Sequence, residues 1–263
     1  MTEPVRRIGV MATRGRPDVV GDAERKVKEA AEAAGIEVAS EEEAGLDLLI
    51  VLGGDGTMLR ALRATLGTGT AVFGINFGRV GFLTTAGGEQ LDEALRRALA
   101  GDFRVVELCS LEARVGGETH AAVNDVVVTS SRPGRMVSLG WEVGGERLAD
   151  QPCDGMICCT PSGSTAYNLS NGGPVMMWGL EAMAMTFVAP HSLRARALVV
   201  PRGLDVRVTN RTRELPVTVI LDGHPVADLE RDQDIQVAVG ADHSRLAVLP
   251  EVTFFTRYHE VFP

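Results

Sequence analysis

Apolar positions between Arg7 and Gly101 follow two alternating rhythms. Arg7–Ala12 is a short apolar run and predicts a strand. Residues 22–34 carry apolar side chains at helical spacing, with Asp22 placed to cap that helix and Gly35 to stop it. Residues 36–39 fit a short second strand. The run LDLLIVL at 46–52 has the length of a strand and the apolar density of one buried on both faces, as in a parallel sheet. Helical period returns in MLRALRATL just beyond it. Ala71–Asn76 predicts another strand, Gly78–Gly81 a tight turn, and Leu91–Ala100 a helix closed by Gly101. Strands alternating with helices imply βαβ units.

After about Val105 the helical periods stop. Short β-rich runs replace them: LEARV, AAVNDVVVT, SLGWEV, GMICCT, ALVV, DVRVTN, PVTVIL, DIQVAVG and RLAVL, separated by Gly116-Gly117, Pro133-Gly134, Gly144-Gly145 and Asp222-Gly223. One helical stretch interrupts them near Ser164–Leu169, where Ser164 and Thr165 are good N-caps. The expected fold is an α/β N-terminal domain over residues 1–104, mostly parallel and Rossmann-like, then an all-β, sandwich-like domain over 105–246. The apolar tail FFTRYHEVFP follows the last β run, and residues 247–263 are expected to pack back on the first domain.

Composition narrows the classes of function. The 263 residues are 45% apolar and 23% charged, an ordinary soluble balance that needs no disulfide or metal staple. No stretch approaches the ~18 apolar residues of a membrane span, and no apolar signal segment follows MTEPVRR. A cytoplasmic protein is expected. The net charge of −9 argues against nucleic acid as a partner, because a basic face supplies most of that affinity. Lys26 and Lys28 are the only lysines among 26 basic residues. Phosphate must therefore be held by arginine, backbone amides or a metal. Cys109, Cys153, Cys158 and Cys159 form no C-x-x-C pair, and Cys158-Cys159 sit in an apolar run as small buried residues.

The chemistry concentrates in a few segments. Gly53-Gly54-Asp55-Gly56-Thr57 lies between a buried strand and a helix. Glycines there admit a ligand to the backbone, and a helix N-terminus attracts phosphate. Asp55 would repel a phosphate that the loop merely cradled. It suits a residue that takes a proton from an attacking hydroxyl or holds a metal, or else simply caps the helix. The glycines at 74, 78 and 81 form either a ligand loop or a plain glycine-rich turn. Asn124-Asp125 places two polar residues within a run of valines and alanines, a cost unless they find partners. In one strand they would face opposite ways, so a shared ligand requires a twist or bulge. Residues 154–174, DGMICCTPSGSTAYNLSNGGP, hold more hydroxyls and amides than a turn requires, and suit recognition of ribose and base. Asp222-Gly223 reads as a two-residue hairpin loop, with His224 beyond it as a ligand contact or a surface residue.

Together these segments resemble the NAD kinase family over essentially the whole chain. GGDGT (53–57), GINFGRVGFLT (74–84), NDVVV (124–128), DGMICCTPSGSTAYNLSNGGP (154–174), APHSL (189–193) and LDGH (221–224) occur in that family's order. Lipid kinases of the diacylglycerol type and phosphofructokinases carry loops similar to GGDGT, whereas the TPSGSTAY block followed by GGP is far more specific. The resemblance implies transfer of the γ-phosphoryl group of ATP, or of polyphosphate, to the 2′-hydroxyl of the adenosine ribose of NAD. It implies Mg²⁺ or Mn²⁺, NAD bound between an α/β and a β-rich domain, and a homodimer or homotetramer. It casts Asp55 as proton acceptor, beside Gly54, Gly56 and Thr57, with Arg60 near phosphate. Asn124 and Asp125 would hold the NAD riboses. Asp154, Thr165, Ala166, Tyr167, Asn168, Leu169, Ser170, His224 and Arg135 would complete the nucleotide contacts. The chain departs from the family pattern at Asp125, where Glu is usual, and at Pro152, where Arg or Lys is common. Ser162 and Asn168 stand for the more usual Thr and Ser. A lipid kinase sharing the loop and a non-catalytic NAD sensor are the alternatives.

Overall fold

The computed structural model describes residues 4–13, 17–78, 81–192 and 194–262. The chain divides into two compact units: residues 1–107 with 243–263, and residues 108–242.

The first unit runs β1 (Arg7–Ala12), α1 (Pro17–Ala33), β2 (Glu37–Val38), β3 (Leu48–Leu52), α2 (Asp55–Ala64), β4 (Ala71–Asn76), β5 (Ala86–Gly87) and α3 (Leu91–Leu99). Its strands pair in parallel in the order β2-β1-β3-β4. β4 also pairs in parallel with β5 and with residues 245–247 at the end of the long strand β17 (Asp234–Val248). Every residue of β3 and β4 is buried, as a sheet covered on both faces requires. Val20 and Val27 of α1 and Leu91 and Leu95 of α3 pack with Ile50, Phe73 and Ile75 on one face. Gly74 lies between Phe73 and Ile75 and so faces the other way. There α2 lies so close that an added Cβ on Gly74 would meet the Met58 sulfur at 2.5 Å.

One expectation needs correction here. α1 starts at Pro17, and Asp22 lies inside it, paired with Arg25 instead of capping. Proline favours the first helical turn because its φ is preset and no N–H is wasted. The tail forms a helix, α5 (Phe254–Val261), opened by a capping box between Thr253 and Thr256.

The second unit is antiparallel. It contains β6 (Arg104–Val115), which begins in the first unit, β7 (Glu118–Ala122), β8 (Asp125–Ser130), β9 (Val137–Val143), β10 (Glu146–Cys153), β11 (Gly155–Cys159), α4 (Tyr167–Ser170), β12 (Ala182–Val188), β13 (Leu198–Pro201), β14 (Asp205–Asn210), β15 (Val217–Leu221) and β16 (His224–Leu229). One sheet has the order β13-β12-β11-β8-β15-β16. Opposite it lie β10-β9-β14 with the first half of β17, and the β6–β7 hairpin. Alternate residues Val126, Val128, Met156, Met183 and Val219 meet Leu111, Leu139, Val208 and Val237 in the sandwich core. On the outer face of the six-stranded sheet, Val127, Ile157, Cys159 and Ala184 pack with Met176. The segment 161–177 is thus tied to the sheet by its own small core. The fold class is the expected one: a mostly parallel α/β sheet and an antiparallel sandwich. No helix among the described residues is long and apolar enough to cross a membrane.

Within 160–170 the helix is shorter than expected. A 3₁₀ turn at Gly163–Thr165 precedes the single turn of α4, and neither Ser164 nor Thr165 caps it. The Ser164 hydroxyl instead donates to Pro161 O and accepts from Met176 N.

Candidate active site

In the first unit, β3 ends at Leu52 and Gly53-Gly54 turns the chain into α2. Gly53 has no room for a side chain, since a Cβ would lie 2.6 Å from Thr57 Oγ1. Gly54 is the N-cap in extended conformation, so Asp55 is the first helical residue and not the cap. Its carboxylate is held from outside the helix. Oδ2 accepts from Phe82 N at 2.8 Å, and Oδ1 from Leu83 N at 3.0 Å. Gly81 passes so close that a Cβ would sit 2.2 Å from Oδ1. This resolves the reading of the 74–84 glycines. Gly74 admits Met58, Gly81 admits Asp55, and Gly78 N donates to the buried Asn76 Oδ1 at 2.9 Å. Arg79 and Val80 of the expected turn lie outside the described residues.

Arg60, one turn further, is exposed, and its Nη2 donates to Ala12 O at 2.9 Å. Its guanidinium therefore stands at the C-terminal end of β1, beside the end of β3. The strand order reverses between those two strands. Open α/β sheets bind ligands at such a switch, outside the carboxyl ends of the strands. Thr57 is buried, while Gly56 is exposed with open space around it.

In the second unit, Asn124 precedes β8 and Asp125 opens it. Strand alternation therefore does not separate them, and no bulge is needed. Their backbone is gripped from two sides. The Asp222 carboxylate accepts from Val123 N (2.9 Å), Asn124 N (2.7 Å) and Asp125 N (3.1 Å). From the other side, Thr160 N donates to Asn124 O at 2.9 Å, and the Thr160 and Ser162 hydroxyls donate to Val123 O. Gly163 completes this contact, because a Cβ there would lie 2.1 Å from Asn124 O. Asp222 and Gly223 take φ of +47° and +81°, the left-handed pair of a primed hairpin turn. That turn is what aims the carboxylate.

Two side-chain acceptors emerge from this grip. Asn124 Oδ1 is buried with no hydrogen-bond partner. Asp125 is buried, and its pKa is pushed up to about 6, first by desolvation and then by the charge of Asp222. Both atoms gain from a ligand that donates O–H groups, as a sugar does.

Around them, Thr165 and Leu169 are half-buried, while Ala166, Tyr167 and Ser170 are exposed. Asn168 is fully buried. Its Nδ2 donates to Ser164 O and Pro174 O, and its Oδ1 accepts from Thr186 Oγ1. A Cβ on Gly173 would lie 1.9 Å from that Oδ1, and Gly172 before it takes a φ of +73°, so each glycine has its own reason. Many of the hydroxyls and amides read as ligand contacts (Thr160, Ser162, Ser164, Asn168) thus hold the segment to itself. Asp154 is exposed in the β10–β11 turn, Arg135 in the loop after β8, and His224 at the start of β16. Leu193 of the APHSL motif lies outside the described residues. All four cysteines are free and buried, with the Cys158 thiol pushed up to about 12 by desolvation.

Asp222 and the amides of Phe82 and Leu83 escaped sequence reasoning. An Asp-Gly pair signals a turn but not where its carboxylate points, and backbone donors carry no side-chain signature. Among the described residues no group of three or more His, Cys, Asp or Glu side chains could hold a metal ion. A divalent cation here would have to be held mostly by the phosphates of a nucleotide and by water, with one or two carboxylates at most.

Two family models match: the ATP-NAD kinase N-terminal domain over residues 8–103 and the ATP-NAD kinase C-terminal domain over 123–249. A NAD kinase of Heliobacterium modesticaldum is 41% identical, over 80% of this chain and 76% of that protein. One of Thermomicrobium roseum is 35% identical, over 98% of this chain and 91% of that protein. An Archaeoglobus fulgidus NAD kinase solved with ATP superposes with a TM-score of 0.79 at 27% identity, covering 97% of this chain and 98% of that one. A yeast NADH kinase solved with NADH shares the fold, with a TM-score of 0.83 at 20% identity, covering 98% and 88%.

Proposed function

This chain belongs to the NAD kinase family, and from that premise we propose that Asp55 is the proton acceptor of the phosphoryl transfer. The 2′-hydroxyl oxygen of the adenosine ribose of NAD attacks the γ-phosphorus of ATP. The bond from that phosphorus to the β-bridging oxygen breaks, and ADP and NADP result. The hydroxyl proton passes to the Asp55 carboxylate and then to solvent. One observation carries this reading: Asp55 is held by two backbone N–H donors at 2.8 and 3.0 Å and, among the described residues, pairs with no cation. A carboxylate offers about four lone-pair sites, so two remain for the substrate hydroxyl.

The other residues divide the remaining work. Gly54, Gly56 and Thr57 open α2 toward the triphosphate, where helix N–H groups favour anions, and Arg60 adds a fixed cation. Mg²⁺ or Mn²⁺, bound together with the nucleotide, would neutralise the negative charge of the phosphates during transfer. Asn124 and Asp125 accept from ribose hydroxyls. Asp154, Thr165, Ala166, Tyr167, Leu169, Ser170, His224 and Arg135 contact the rest of NAD, and Asn168 holds the turn that presents them. Asp125, shorter by one methylene than the usual Glu, draws the ribose closer. Pro152 removes a cationic contact. The enzyme works in the cytoplasm as a homodimer or homotetramer.

The test is NADP formation by purified protein with NAD, Mg²⁺ and ATP or polyphosphate, beside Asp55→Asn. We expect the variant to bind NAD and to lose turnover by at least ~10². Near-normal turnover in the variant would sink the assignment.

A further inference from the structure

The aim of Asp55 depends on the amides of Phe82 and Leu83. Those two residues lie in a segment without regular secondary structure, directly after Gly81. Glycine gives a chain freedom rather than fixed direction, so something else must set where these amides point. Two tethers are hydrogen bonds: Thr85 N donates to Gly74 O at 2.9 Å, and Leu249 N to Thr85 Oγ1 at 2.8 Å. The third is the Phe82 ring. It is buried, meets Phe254 edge-on at a centroid distance of 5.4 Å, and lies 6.2 Å from Phe262. Tyr258 joins these two rings at 6.4 and 5.2 Å.

The helix carrying these rings is itself anchored. Thr253 and Thr256 cap it reciprocally, Arg104 Nη2 donates to Val252 O at 2.6 Å, and Arg97 pairs with Glu251. Aromatic pairs prefer particular mutual angles, so such contacts constrain orientation as well as excluding water.

We propose that α5 is a positioning element for phosphoryl transfer: Phe254 and Phe262, acting through Phe82, hold the two amides that aim Asp55. This rests on the reading of Asp55 as proton acceptor. It assigns a role to a segment beyond both matched family domains and outside every motif of the sequence. No part of α5 touches the reacting atoms in this account. It acts through the backbone of Phe82, 172 positions before the start of α5.

A double-mutant comparison separates aiming from mere support. NADP formation and NAD-binding stoichiometry are measured for Phe254→Ala and Phe262→Ala, each alone and combined with Asp55→Asn. Alone, Phe254→Ala is expected to lower kcat about 10-fold, since small misplacements cost that much or more. KM for both substrates and the NAD stoichiometry should stay near those of the wild type. In the Asp55→Asn background the same substitution should change kcat less than about twofold, because no proton acceptor remains to be aimed. Equal fold losses in both backgrounds would overturn the proposal and leave α5 as a cover for the core. Phe262→Ala, half-buried near the end of the helix, carries the test if Phe254→Ala does not fold. Phe255→Ala, at an exposed ring of α5, should keep wild-type kcat, and a loss as large as that of Phe254→Ala would also overturn the proposal. If Asp55→Asn alone keeps near-normal turnover, the proton-acceptor reading fails and this proposal with it. Equal losses over an Asp55-dependent background sink this proposal only.

Discussion

Asp125 carries a structural cost, one that a ribose hydroxyl would relieve on the proposed reading. It is buried beside Asp222, with its pKa raised from 3.8 to about 6. The folded state therefore holds a proton that the unfolded chain releases at lower pH. Stability from this residue falls as pH rises from about 4 through about 6 and stays low above. Asp125→Asn should raise thermal stability at pH 7, by on the order of 1–3 kcal/mol, and should flatten the pH dependence of melting between 4 and 7. Binding has the opposite sign, because hydroxyl donors favour the ionised carboxylate. Calorimetry should find NAD affinity rising from pH 5 to pH 7 in the wild type, and this dependence lost in Asp125→Asn. Asp222→Asn removes the neighbouring charge and should move the midpoint of that rise to lower pH. An unmoved midpoint would show that burial alone sets it.

At the scale of elements, close backbone approaches divide glycines that the structure requires from those it tolerates. Gly163→Ala drives a Cβ onto Asn124 O, a backbone atom fixed on both sides. A loss of about 1–3 kcal/mol is expected, with NAD binding lost alongside, and a melting curve beside calorimetry checks both. Gly56→Ala meets open space and should leave stability within about 0.5 kcal/mol. The same scale shows what could be read in advance. β1 and β4 were legible to the residue because parallel strands are apolar runs bounded by turns. β10 was missed because its first five residues are all exposed and carry no alternation. β12, AMAMTFV, was missed because Ala and Met favour helices and burial on both faces erases the period of two. DIQVAVG and RLAVL look like separate runs in the sequence, yet they belong to the two ends of β17. Gly240 ends the first of them, at a site where a Cβ would meet Ser110 Oγ at 2.7 Å. The candidate site was legible as motifs, whereas what holds it was not. Asp55 and Asn124-Asp125 could be named from side-chain type. The amides of Phe82 and Leu83 and the direction of the Asp222 carboxylate depend on tertiary placement alone.

The whole molecule has an unusual order of assembly. Its first unit is built from residues 1–107 and 243–263, with β17 pairing beside β4 and α5 packed on Phe82. A chain cut before residue 243 lacks both. It should lose the cooperative melting of the first unit while residues 108–242 keep their antiparallel sheets, a difference that hydrogen exchange would resolve by segment. During synthesis the GGDGT loop leaves the ribosome long before its supports. At roughly 5–20 residues per second, the interval from residue 107 to residue 243 is about 7–27 seconds. On the proposal above, the Asp55 carboxylate lacks fixed amides through that interval. Synthesis of residues 243–263 is, on that same proposal, what arms the enzyme, and a chain terminated before them is a kinase that was never switched on.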